Sequence, residues 1–148
     1  MIYQEIFNKR FWIIILILII GIVSAFFFLF NKEYWENYEI TKNSRAARIL
    51  FKAFLFVLVA GFVWLEVIPI TKDKSYIDNK NYEVCYGETL QEVVDGGLFG
   101  LSKSIIINVD GTECEFNLLK YDKNIKQGDK VKVTYLPNSK YAVIEKQE

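Results

Sequence analysis

The sequence predicts two transmembrane α-helices forming a hairpin, followed by a small all-β C-terminal domain, an OB-like or SH3-like barrel. Three observations carry this prediction. Residues 11–30 contain no charge, residues 49–70 are nearly as apolar, and from residue 82 the pattern changes to short alternating runs bounded by turns. Charge follows the same division. The first 70 of 148 residues hold seven Lys/Arg and five Glu, whereas the rest hold eleven Lys, no Arg and thirteen Asp/Glu. The two parts are composed for different solvents.

The first span, "FWIIILILIIGIVSAFFFLF" at residues 11–30, has the twenty residues that a helix rising about 1.5 Å per residue needs to cross a hydrocarbon core of about 30 Å. A cleaved signal peptide is the competing reading, because Lys9 and Arg10 precede the run and "VSA" at 23–25 suits a peptidase. The "FFFLF" that follows at once is too apolar for a cleavage region, so the helix reading is preferred.

In the second span, residues 49–70, only 53–65 are free of charge. Lys52 and Glu66 lie near opposite ends, where each side chain reaches a headgroup layer. Glu66 is the one candidate intramembrane polar residue, and its position near the end favours an interfacial role over a proton or cation relay. Pro69 is expected to end the helix, and Trp12, Tyr34, Trp35 and Trp64 fall where interfacial aromatics belong. Gly21 and Ala25 in the first span and Ala60 and Gly61 in the second share one depth if the helices are antiparallel, which predicts a close crossing there. The same small residues would also serve a homodimer or a foreign helix.

Residues 31–48 form the connector and 71–81 a charged linker, placing the domain boundaries at 1–70 and 82–148. Two spans put both termini on one side of the membrane. Lys/Arg counts near the spans tie at five against five, and the densest cluster, Arg45, Arg48 and Lys52, favours a cytoplasmic connector with an extracytoplasmic tail.

In the tail, "IIINVDGTECEF" carries Asp-Gly between β-branched alternation, which sets a two-residue hairpin turn and pairs Val109 with Thr112, Ile107 with Cys114 and Ile105 with Phe116. "DKVKVTYL" and "KYAVIEK" flank a Pro137-Asn138-Ser139 turn, and further strands are expected at "YEVCY" and "TLQEVV". Five or six short antiparallel strands in about seventy residues are best served by closing into a barrel. Gly96, Gly97 and Gly100 read as a bend at a barrel corner, because a phosphate-binding loop would need a Lys-Ser/Thr ending and a following helix.

The segment "GDKVKVTYLPNSKYAVIEK", residues 128–146, resembles the ending of small β-domains in uncharacterised membrane proteins of Gram-positive bacteria, with their Gly-Asp turn, Val-x-Val-x-Tyr strand and Leu-Pro-x-Ser turn. The resemblance covers the last fifth of the chain. It implies a barrel in a bacterial cell membrane and carries no active site with it.

The absence of histidine removes Ser-His-Asp and Cys-His catalysis and imidazole metal sites. Cys85 and Cys114 are the only cysteines. A disulfide closing some thirty residues would contribute about 3.6 kcal/mol by chain entropy, but strand parity puts Cys114 on the apolar face and Cys85 beside Glu83, so two free thiols fit equally well. Glu83, Glu88, Glu92, Asp95, Glu113 and Glu115 are spaced as a solvated face, and Ser102 and Ser104 as strand entries. No catalytic residue, cofactor or metal ligand is assigned. With no Arg and a slight negative balance in the tail, nucleic acid is not an expected partner. The expected function is a non-enzymatic integral membrane protein whose barrel binds a protein or the membrane surface. Two narrower readings are an immunity or exclusion factor against a membrane-acting toxin or phage product, and an accessory subunit of a transporter, channel or membrane protease.

Overall fold

A computed structural model describes residues 2–31, 35, 37, 44–96 and 102–147. Gly97 and Gly100 of the expected barrel corner, Tyr34 and much of the connector lie outside the described residues. The chain forms two compact units. One consists of Met1–Phe11 with Ile70–Glu148, the other of Trp12–Pro69.

Helix α1 runs over Ile2–Phe30 and α2 over Arg45–Phe62. Ser44 caps α2, its hydroxyl accepting from the Ala47 amide at 3.2 Å. A π-helical turn, Val63–Val67, then leads into α3, Ile68–Lys72, and α4, Lys74–Asn79. Both stretches, Ile2–Phe30 and Arg45–Asn79, are long and apolar enough to cross a membrane, and very little of either apolar window is covered by protein.

Pro69 does not end the second helix, contrary to the expectation from sequence. A proline within a helix clashes with the carbonyl four residues earlier, and the π turn widens the backbone just ahead of Pro69, with the Ile68 amide bonding back to the Val63 carbonyl. The stretch 71–81, expected to be a linker, is likewise helical up to residue 79. Ile70, Asp73 and Ile77, spaced i, i+3, i+7, are all fully buried, so this segment has an inward stripe. Lys80 closes α4 in the left-handed region at φ 55°.

The β unit contains six strands: β1 Glu83–Thr89, β2 Val94–Gly96, β3 Ser102–Val109, β4 Thr112–Tyr121, β5 Lys130–Tyr135 and β6 Tyr141–Lys146. The β3–β4 hairpin has the expected register, with Asp110 and Gly111 both at positive φ as a two-residue turn of this kind requires. Five strands close into a barrel in the order β1–β5–β6–β4–β3, with β3 returning to β1 through Glu88 opposite Asn108 and Thr89 opposite Ile107. β2 lies outside this ring, paired to the start of β3.

Two expectations are corrected here. The strands are not all antiparallel, because β4 and β6 run parallel, with Asn117 opposite Tyr141 and a register shift after Leu118. "TLQEVV" is not one strand, since Thr89 ends β1 and Val94 begins β2. Thr89 is buried, and its hydroxyl bonds to the Lys126 carbonyl at 2.5 Å and accepts from the Asp129 amide at 3.1 Å. Those bonds fix the 126–129 loop and terminate the strand. The barrel interior is filled by Ile105, Ile107, Phe116, Leu118, Ile125, Val131, Val133, Ala142 and Ile144.

Residues 2–11 belong with the barrel rather than with the first span. Phe7 is fully buried and packs on Tyr82 at 5.1 Å between ring centroids, Tyr3 donates to Glu145 at 2.6 Å, and Arg10 donates to the Tyr141 hydroxyl at 2.8 Å. This explains why β6 is buried on both faces, Tyr141 and Val143 as well as Ala142 and Ile144. A strand covered on both sides reads as a continuous apolar run, as "YAVI" does.

Candidate functional site

The most elaborate polar arrangement in the described residues centres on Asp73, between α3 and α4. Its side chain is completely buried, a position that a carboxylate occupies only when its oxygens are bonded. Four donors from the β5–β6 turn meet it. The Asn138 amide at 3.1 Å and side-chain nitrogen at 2.7 Å reach Oδ1, and the Ser139 amide at 2.7 Å and hydroxyl at 2.6 Å reach Oδ2. The turn presents these donors because Lys140 adopts a left-handed conformation and its amide closes back on Leu136. Residues 72–74 are thereby fixed against the tip of the closing hairpin.

Around this clamp lie the two places where the chain leaves the unit, Phe11 and Ile70. The Lys74 ammonium lies 5.2 Å from the Phe11 ring centroid and pairs with Asp78, while the Arg10 guanidinium stacks 4.7 Å from the Tyr141 ring. Lys9 and Lys72 are exposed.

Beside β6, Ile2, Tyr3, Tyr121, Asp122, Val143 and Glu145 help line a crevice of about 270 Å³. Hydrogen bonding to Glu145, then burial, holds the Tyr3 phenol above its ordinary pKa. Its polar side chains are engaged, Glu145 by Tyr3 and by Lys132 at 3.4 Å, Tyr121 by Lys103 at 3.1 Å and Asp122 by the Lys146 amide at 3.0 Å. Among the described residues no group of three or more Cys, Asp or Glu side chains is arranged to hold a metal ion.

In the other unit, Gly21 and Ala25 line an apolar groove of about 250 Å³, together with Ser24, Phe28, Leu58 and Val59 among others. The helices do not close on the glycines: a Cβ added at Gly21 or at Gly61 would meet no atom within 4 Å. Ala60 and Gly61 do not line this groove. Where α1 ends, the Trp35 indole donates to the Phe28 carbonyl at 2.7 Å and the Lys52 ammonium to the Leu29 carbonyl at 3.2 Å, satisfying acceptors that a helix C-terminus leaves open. Trp35 is therefore buried, whereas Trp12 and Trp64 are exposed. Glu66 sits half-buried within the π turn.

Cys85 and Cys114 are free thiols, both packed against the barrel core. The parity inferred for β1 is reversed: Cys85 pairs with the buried Val133, while Val84 and Tyr86 face outward. Burial, followed by the neighbouring Cys114, pushes the Cys85 thiol up to about 11. Because the thiolate is the reactive form, alkylation of Cys85 in the folded protein should be slow at pH 8 and accelerate about tenfold per pH unit below that value. Mass spectrometry of iodoacetamide-treated protein checks this, and rapid labelling of Cys85 at pH 7 would contradict its placement.

Sequence reasoning missed Asp73 and the face formed by Tyr3, Phe7 and Arg10. The second had a signal, because positions 3, 7, 10 and 14 follow one helical stripe that begins before the uncharged run. Asp73 had none, since its partners lie 65 residues away in the chain. No protein-family model, no curated protein and no solved structure matches this chain.

Proposed function

We propose that the protein is a non-enzymatic membrane-anchored barrel that binds a partner protein or the membrane surface, held at a bacterial cell membrane by two spans forming a hairpin. One observation carries the reading. Along α1 and α2, Leu16, Ile20, Val23, Phe26, Phe54, Phe56 and other large apolar side chains stand exposed in a continuous surface far larger than water-soluble proteins tolerate. A bilayer is the solvent that such a surface fits. The Arg45, Arg48 and Lys52 cluster supports an extracytoplasmic barrel.

The ring order and the parallel β4–β6 pair favour an OB-like over an SH3-like topology. In OB-folds the second and third ring strands carry the ligand face. Here these are β3 and β4, whose outward positions include Asn108, Glu113, Glu115 and Asn117. The exposed carboxylates Glu113 and Glu115 favour a protein partner over a phosphate backbone on this part of the face. The accessory-subunit reading gains from the groove beside Gly21 and Ala25, where a partner helix would approach closely.

Alkaline carbonate extraction of cell membranes tests the anchoring. The full chain is expected to remain in the pellet, as spanning proteins do. Release of most of the protein into the supernatant would overturn the reading.

A further inference from the structure

The clamp has an electrostatic consequence beyond rigidity. From Ile6 to Phe11 and from Ile70 to Tyr76, the segments nearest the two exits into the apolar helices, there are four cations, Lys9, Arg10, Lys72 and Lys74, and one carboxylate, with Glu5 one helical turn before Lys9 and Glu66 one turn before Ile70 as the flanking acids. The carboxylate within the segments is Asp73, withdrawn from solvent and saturated by four donors. Asp78, paired with Lys74, and Glu5 each lie a helical turn further from the exit than the cation they neighbour. Arg10 and Lys74 are held in position by the rings of Tyr141 and Phe11, and Lys9 and Lys72, adjacent in sequence to Arg10 and to Asp73, are exposed.

We propose that these four residues form a binding surface for anionic phospholipid headgroups, on the two segments that lead into the apolar helices. The proposal rests on the membrane reading above and specifies which lipid that anchoring selects. Anionic lipid is the occupant that matches both the charge and the place. Cations next to a membrane surface each contribute about 1 kcal/mol of attraction to acidic lipid, and apolar side chains continue from both exits. Phosphate oxygens would accept from the ammonium groups, and the buried Asp73 would not repel them.

The test is lipid selectivity of the full chain reconstituted in phosphatidylcholine bilayers, read from the motionally restricted fraction of spin-labelled phosphatidylglycerol against spin-labelled phosphatidylcholine. The expected result is a preference of about fivefold for phosphatidylglycerol, equivalent to about 1 kcal/mol. It should fall to within about twofold of unity in the Lys9→Gln, Lys72→Gln double variant and in 1 M salt, where the Debye length is about 3 Å. A Lys123→Gln, Lys126→Gln variant, altered in the exposed loop before β5, should keep the full preference. Equal restriction of the two lipids in an inserted protein would overturn the proposal and leave the anchoring intact. A preference removed by 10 mM inorganic phosphate, but not by chloride of equal ionic strength, would assign the surface to free phosphate and overturn the lipid assignment. A chain that fails to insert would overturn both readings.

Discussion

Replacing Asp73 by alanine is expected to destabilise the barrel unit by about 3–5 kcal/mol, because four donors lose a charged acceptor in a site closed to water. The Asn138 and Ser139 amides cannot turn elsewhere without rebuilding the β5–β6 turn. Asp73→Asn should recover only part of the loss, since its NH2 group would face a donor where the carboxylate presents a second acceptor. Ser139→Ala, which removes one donor of the four, should lose about 1 kcal/mol. Chemical unfolding of the full chain in detergent micelles, followed by near-UV circular dichroism, reads all three variants. If Asp73→Ala lay within 1 kcal/mol of the native chain, the clamp would be incidental.

Replacing Gly87 by valine is expected to open the barrel. Gly87 lies on the inward side of β1 where the strand passes from β5 to β3. A Cβ there would overlap the Asn108 carbonyl oxygen and come within 2.6 Å of Ile107 Cγ2. The carbonyl is backbone and cannot rotate away, so β1 and β3 must separate. Overpacking of this kind destabilises by about 1–3 kcal/mol where side chains yield, and by more where they cannot. Gly87→Val is therefore expected to lose more than about 3 kcal/mol. Hydrogen exchange should locate the loss at Leu90, whose amide bonds to the Ile106 carbonyl at 2.9 Å just beyond the closure. Gly61→Ala is the matched control, because an added Cβ there meets open space and helix propensity favours alanine by up to about 1 kcal/mol. Equal stability of the two variants would mean that the closure is drawn in the wrong place.

What could be read from the sequence was local. The Asp110-Gly111 turn and its flanking alternation determine a register through contacts a few residues apart, so Ile105, Ile107, Cys114 and Phe116 were assignable to one face. The uncharged run from residue 11 likewise identified an apolar helix, although its start at Ile2 depended on packing against β6. Barrel closure through Glu88 and Thr89 and the parallel β4–β6 pair are non-local, and no turn residue marks them. The inward face of β1 was misread for a related reason: Val84 and Tyr86 look like core residues by type, yet the closure requires glycine to face inward at position 87, which turns Cys85 inward with it. The candidate site was less legible still. A lone aspartate among lysines reads as solvent-exposed until a turn 65 residues later supplies its donors.

The central claim, that the chain divides at Phe11 and Ile70 into a water-exposed barrel and a lipid-exposed pair of helices, is tested most directly by photolabelling the reconstituted full chain with a carbene-generating probe carried on lipid acyl chains. Peptide mapping should find the label within residues 12–69, concentrated at exposed positions such as Ile20, Phe26, Phe56 and Leu65, and little on residues 82–147. Label distributed over the barrel strands, or its absence from residues 12–30, would contradict the claim.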